Sequence, residues 1–149
     1  MKILVQDQDF DIAAEISELC GGRTDIGAIV TFTGLVRDFH GDNKVQKMTL
    51  EHFPGMAEKQ LEAICKTASD RWPLQGGTVI HRYGPLIPGD RIVLVITLSA
   101  HREAAFEAAE FIMDWLKTEA PFWKKEQTAK GEHWVDAKTE DNKRKDRWT

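Results

Sequence analysis

The segment "DWLKTEAPFWKKE", residues 114–126, places Lys117, Lys124 and Lys125 around a proline and two aromatic residues. A lysine held against an apolar wall and near a second cation can act as an acid, a base or a nucleophile, because both neighbours disfavour its charged form. Lys117 falls in the last turn of a helix that must stop before Pro121, since a proline pushes the preceding residue out of the helical region. If 122–126 is a strand, Phe122, Lys124 and Glu126 share one face, and Trp123 and Lys125 point the other way. The proline turn then folds Lys124 back beside Lys117, with Phe122 or Trp123 as the wall. The alternative is two solvated lysines, Lys117 favoured by the helix dipole, with the aromatics in the core.

A second cationic group is "SAHRE", residues 99–103, where an apolar strand gives way to a helix. Free N–H groups at a helix start favour an anion, and Arg102 adds a fork of donors. The alternative is that Ser99 or His101 caps the helix and the basic side chains are solvated. Arg37 ends the strand-like "VTFTGLVR" and faces the loop that holds His40. The five histidines, at 40, 52, 81, 101 and 133, show no metal-ligand spacing, and no HExxH, P-loop, GxSxG or GxGxxG pattern occurs. No metal and no cofactor are expected.

The elements that must carry these residues fit one domain. The chain has 149 residues, 42% of them hydrophobic and 30% charged, as in a globular protein. Its net charge of −4 argues against a general nucleic-acid binder. Residues 117–149 nonetheless carry nine Lys/Arg against seven Asp/Glu, while residues 1–116 carry eleven against seventeen. A local cationic site in an acidic protein suits a small anion. Cys20 and Cys65 fall on helical apolar faces and read as small buried hydrophobes. No apolar run is long enough for a signal peptide or a membrane span, so a cytoplasmic protein is expected.

Along the chain, Lys2–Gln6 reads as a strand and Asp11–Cys20 as a helix stopped by Gly21-Gly22. Gly27–Arg37 and Val45–Phe53 read as strands around the loop "DFHGDNK". A helix follows Pro54-Gly55 to about Arg71, with Met56, Leu61, Ile64, Cys65 and Ala68 inward. Thr78–Tyr83 is a strand, "GPLIPGD" a turn, and Arg91–Ser99 the most hydrophobic and central strand. A second long helix covers about 102–118, with Phe106, Ala109, Ile112, Met113 and Leu116 as its apolar stripe. Phe122–Gln127 and His133–Ala137 form two short strands around Gly131. The charged end, 139–149, reads as frayed. The order from Val45 onward predicts an α+β fold: a mostly antiparallel sheet with helices on one face.

Taken together, "VTFTGLVR", "LEHFPGM", "RWPL", "VIHRYGPLIPGD", "SAHREAAFEAAEFIMDWLKTEAPFWKKE" and "WVDAK" resemble, in order, the catalytic large subunit of molybdopterin synthase. The resemblance runs over about residues 3–138 and implies one domain of that family over 1–138, an α/β-hammerhead with a small β subdomain, followed by the charged tail 139–149. It implies a homodimer within a heterotetramer, each copy holding a small ubiquitin-like sulfur carrier whose C-terminal Gly-Gly ends in a thiocarboxylate. The implied substrate is cyclic pyranopterin monophosphate, and two sulfur transfers give the molybdopterin dithiolene. The family's pocket lysines fall on Lys117 and Lys124. Its substrate residues fall on Arg37, His101 and Arg102, with Lys125 and Glu126 extending the second lysine's segment. Leu35 and Val36 precede Arg37; Leu35 stands where the family can carry a lysine, so its backbone is left to contribute. The neighbouring copy would supply Lys138.

Two other classes stay open on residues alone. An RNA-binding sheet would show stacking aromatics on its central strand, and "RIVLVITLS" has none. A scaffold for a small partner would tolerate replacement of Lys117.

Overall fold

The stretch "RIVLVITLS" lies, as its composition predicts, in the middle of a sheet. The computed structural model describes residues 1–41, 43–119, 121–135 and 139–149. In chain order the elements are β1 (Lys2–Gln6), α1 (Ile12–Cys20), β2 (Ala28–Leu35), β3 (Phe39–His40), β4 (Asn43–His52), α2 (Met56–Arg71), β5 (Leu74–Arg82), β6 (Gly84–Leu86), β7 (Arg91–Ser99), α3 (Arg102–Leu116), β8 (Phe122–Thr128), β9 (Gly131–Val135) and α4 (Thr139–Asp146). The first sheet has the order β1-β5-β7-β2, with β1 and β5 parallel and the other pairs antiparallel. The second has the order β3-β4-β8-β9, with β6 pairing to β4. The chain is α+β, with a small β subdomain beside the main sheet.

Strand alternation divides the core. Val79, Val93 and Val95 face α2 and α3, packing with Leu61, Ile64, Cys65, Phe111 and Ile112. Ile80, Leu94, Ile96 and Leu98 face the opposite way and meet Ile12, Ile16 and Leu19 of α1. The long helices thus share one face and α1 covers the other, because both sides of β5 and β7 are apolar and both must be buried. Each buried Leu or Ile contributes about 1.5–3 kcal/mol.

Helix ends follow local chemistry. The Asp11 carboxylate accepts from the Ala14 N–H (3.0 Å), and Gly21 closes α1 at φ 44°. Glu58 reaches back to accept from the Gly55 N–H (2.6 Å) at the start of α2. Two inward assignments need correction. Met56 and Phe106 are exposed, and Phe111 is buried instead. The small residues Ala105, Ala108 and Ala109 set the contact face of α3, which turns Phe106 outward.

The charged end is not frayed. It forms α4 and returns to α3: the Trp148 indole N–H donates to Asp114 (2.7 Å), and Arg147 pairs with Asp114 (3.0 Å) and Glu110 (2.6 Å). The Trp148 ring meets Trp72 and Phe111 edge-on, and Arg71 lies over all three rings.

Candidate active site

Two elements bring the lysines together. Lys117 follows α3, its N–H donating to Met113 O (3.1 Å), so its cationic side chain sits at the negative end of the helix. Lys124 lies on β8 between Leu50 of β4 and Val135 of β9. Both line one pocket of about 300 Å³. The alternation expected of 122–126 is present: Phe122, Lys124 and Glu126 line the pocket, and Trp123 and Lys125 do not. Trp123 instead meets Phe53 edge-on at 4.8 Å. The position predicted for Ala120 lies outside the described residues.

The other wall comes from the end of β2. The pairing of β2 with β7 slips between Gly34 and Leu35. Beyond that slip, Val36 donates to Asp90 O (2.9 Å) and accepts from the Gly89 N–H (2.8 Å). This tie to the turn before β7 buries Val36 and sets Leu35, Val36 and Arg37 on the pocket. Met113 and Leu116 of α3 and Met48 of β4 add apolar surface. The pocket therefore joins two ammonium groups and a guanidinium to a hydrophobic floor, with the carboxylates of Glu126 and Asp141 also on its lining. The cations exceed the acids by one, so a small anion can be accommodated.

The remaining predicted residues are placed elsewhere, with one exception. Glu126 is buried on the pocket wall. Lys125 points away, pairing with Glu132 (3.0 Å) and lying over Trp134. His101 and Arg102 are exposed at the start of α3, and that 15-residue helix puts them about 22 Å from its Lys117 end. No side chain caps this helix start, because the Ser99 hydroxyl donates to Pro73 O (3.0 Å) instead. Lys138 lies outside the described residues.

Two pocket residues were not singled out by sequence reasoning. His81 ends β5 inside the pocket, and strand alternation was the one signal that either it or Arg82 must point inward. Asp141 reaches the pocket from α4, and nothing in the charged tail marks it. Cys65 is buried, which pushes its thiol pKa up to about 12 and leaves it inert at neutral pH. Among the described residues, no three His, Cys, Asp or Glu side chains gather as metal ligands, and no helix is long and apolar enough to cross a membrane.

Fold and site together define a small α+β protein with a lysine-lined pocket between its main sheet and a β subdomain. The family model described as MoaE protein matches residues 5–119. The chain is 57% identical to the molybdopterin synthase catalytic subunit of Rhizobium meliloti (strain 1021), over 99% of this chain and 95% of that one. Among solved structures, the molybdopterin biosynthesis MoaE protein from Burkholderia ambifaria superposes with a TM-score of 0.84 at 49% identity, covering 99% and 97% of the two chains. Molybdopterin synthase from Staphylococcus aureus gives 0.81 at 30% identity, covering 91% and 96%. The chain belongs to the MoaE family, that of molybdopterin synthase catalytic subunits.

Proposed function

We propose that this chain is the catalytic subunit of a molybdopterin synthase, a sulfurtransferase that turns cyclic pyranopterin monophosphate into the molybdopterin dithiolene. The observation that carries this reading is the meeting of Lys117 and Lys124 on one pocket with an apolar floor. A thiocarboxylate at the Gly-Gly end of a small ubiquitin-like partner is a narrow anionic chain end, and such a pocket suits it. When the thiocarboxylate sulfur attacks a substrate carbon, the C–S bond forms as a C–O bond at that carbon breaks. Lys117 stabilises or protonates the departing oxygen, and Lys124 assists. Water then cleaves the acyl–sulfur bond and returns the partner's Gly-Gly end as a carboxylate. Phe122 and Glu126 shape the wall. Each transfer consumes one thiocarboxylate, so the partner must exchange between the two. Cys65, buried and protonated, is unsuited to carry the sulfur, which fits a donor supplied from outside. Both cysteines are free, in keeping with work in the reducing cytoplasm.

The substrate's phosphate needs its own cations, and His101 and Arg102 stand too far from the pocket of their own copy. β2 is the open edge of the main sheet, with Ile29, Phe32 and Leu35 exposed along it. Its start lies beside Ser99, next to His101, and its end reaches the pocket. A second copy set antiparallel against this edge by a two-fold axis brings its His101 and Arg102 toward Leu35, Val36 and Arg37 of the first. The site is then shared between copies, with Lys138 an additional contribution from the neighbour. Lys125, paired on the far face, holds β9 to β8.

The test is single-turnover conversion. The purified chain, a thiocarboxylated small subunit and cyclic pyranopterin monophosphate are mixed, and dithiolene product is measured by mass spectrometry. Product is expected. Its absence, with the partner shown to bind, would leave only a scaffold for the small subunit.

A further inference from the structure

We propose that His81 is a positioning residue of the lysine pocket: locked in one tautomer, it braces Phe122 and offers Nε2 as an acceptor to the Lys124 ammonium group. The inference deepens the sulfur-transfer reading and rests on it.

His81 is buried at the end of β5 and lines the pocket. Its Nδ1 lies 2.9 Å from the Arg82 carbonyl oxygen. A carbonyl only accepts, so Nδ1 carries the hydrogen, and in a neutral ring Nε2 is then left as a lone-pair acceptor. Burial pushes the pKa of His81 down to about 4, with Lys124, Lys117 and His52 pushing the same way against the Arg82 carbonyl. The ring is therefore neutral at pH 7 and does not repel the lysines it faces.

Its flat face lies on Phe122, with centroids 3.7 Å apart and planes 11° from parallel. Phe122 stands two residues before Lys124 on the same face of β8, so the stack fixes the strand end that carries the lysine. Phe122 in turn lies 6.1 Å from His52, which stacks on Tyr83 at 4.2 Å. A phenylalanine at 81 would stack as well. What histidine adds is a neutral acceptor, alongside the carboxylates of Glu126 and Asp141, in a pocket whose cations offer only donors. The charged and titratable groups around it are His52 on β4, Tyr83 after β5, Lys117 after α3, Lys124 and Glu126 on β8, Arg37 after β2 and Asp141 on α4.

Two measurements on the full-length chain test this. The first is a long-range 1H–15N spectrum of histidine-labelled protein at pH 7. The neutral Nδ1–H tautomer is expected for His81, and an Nε2–H tautomer or a charged ring would overturn the proposal. The second is single-turnover kinetics of His81→Phe and His81→Gln, with partner affinity measured alongside. His81→Phe keeps the stack and should lower the rate about ten- to a hundredfold, the range for one hydrogen bond to a charged group, at unchanged partner Kd. His81→Gln keeps an acceptor but loses the stack on Phe122, and should also be slower than native. A His81→Phe chain at the native rate would remove the acceptor role, and a His81→Gln chain at the native rate would remove the bracing role. If the native chain makes no dithiolene, the sulfur-transfer reading fails, while the spectrum still judges the tautomer.

Discussion

Lys117 and Lys124 belong to different elements, one following α3 and the other inside β8, and both line the same pocket. Lys125, the next residue along, faces the other side of the sheet and pairs with Glu132. Adjacent lysines of the same chemistry therefore stand in opposite environments. Lys124→Ala should slow single-turnover sulfur transfer by about a hundredfold or more, the cost of losing one preorganised electrostatic group. Lys125→Ala, which breaks a partly exposed ion pair, should stay within about threefold of native. Equal effects of the two would contradict the pocket assignment.

A site shared between copies has a signature that a self-contained site lacks. Lys117→Ala and Arg102→Ala chains, each inactive alone, are mixed under conditions that exchange subunits. If each pocket takes its lysine from one copy and Arg102 from the other, hybrids hold one intact site, and the mixture regains about a quarter of native activity. If both residues act within one copy, the mixture stays inactive.

Stability should fall on mild acidification, and His81 should be the main cause. Its pKa is about 4 when folded against 6.5 ordinarily. The unfolded chain therefore binds the extra proton first as pH drops. The stability linked to His81 is complete above about pH 6.5 and declines toward pH 4, by about 3 kcal/mol in all. Asp9, whose pKa the Arg91 hydrogen bond lowers, adds its own loss below that window. Urea unfolding at pH 7, 5.5 and 4.5 should show the decline in the native chain and a flatter profile in His81→Phe. Parallel profiles would contradict it.

The C-terminal helix should stabilise the whole fold. Trp148→Ala removes a ring packed on Trp72 and Phe111 and leaves the buried Asp114 with Arg147 alone. A loss of about 2–4 kcal/mol follows, seen as a fall in Tm of about 5–15 °C. An unchanged Tm would mean that α4 does not pack on α3 in solution.

That helix also marks where sequence reasoning stops. "KTEDNKRKDRWT" has no apolar stripe, and its helix is held by Trp148, Arg147 and Lys145 reaching partners on or just after α3, more than twenty residues back. Such contacts leave no local pattern. β7 is legible because the eight residues after Arg91 are apolar or small and admit few other places. Strand alternation sets Lys124 on one face with Phe122 and Glu126, while its meeting with Lys117 was one of two readings that residues alone left open. Phe106 misleads, since hydrophobicity alone does not say which edge of a stripe packs when alanines set the contact. The distance between Arg102 and Lys117 was hidden for a different reason: a motif places residues in order, and only the length of α3 shows them at opposite ends.

The most direct test of the central claim is single-turnover sulfur transfer by the native and Lys117→Ala chains side by side, with thiocarboxylated partner bound to both. Dithiolene from the native chain and almost none from the variant is the predicted result. Equal product from both would keep the enzyme but reduce Lys117 to a helix-end cation, and the pocket would no longer be where the sulfur moves.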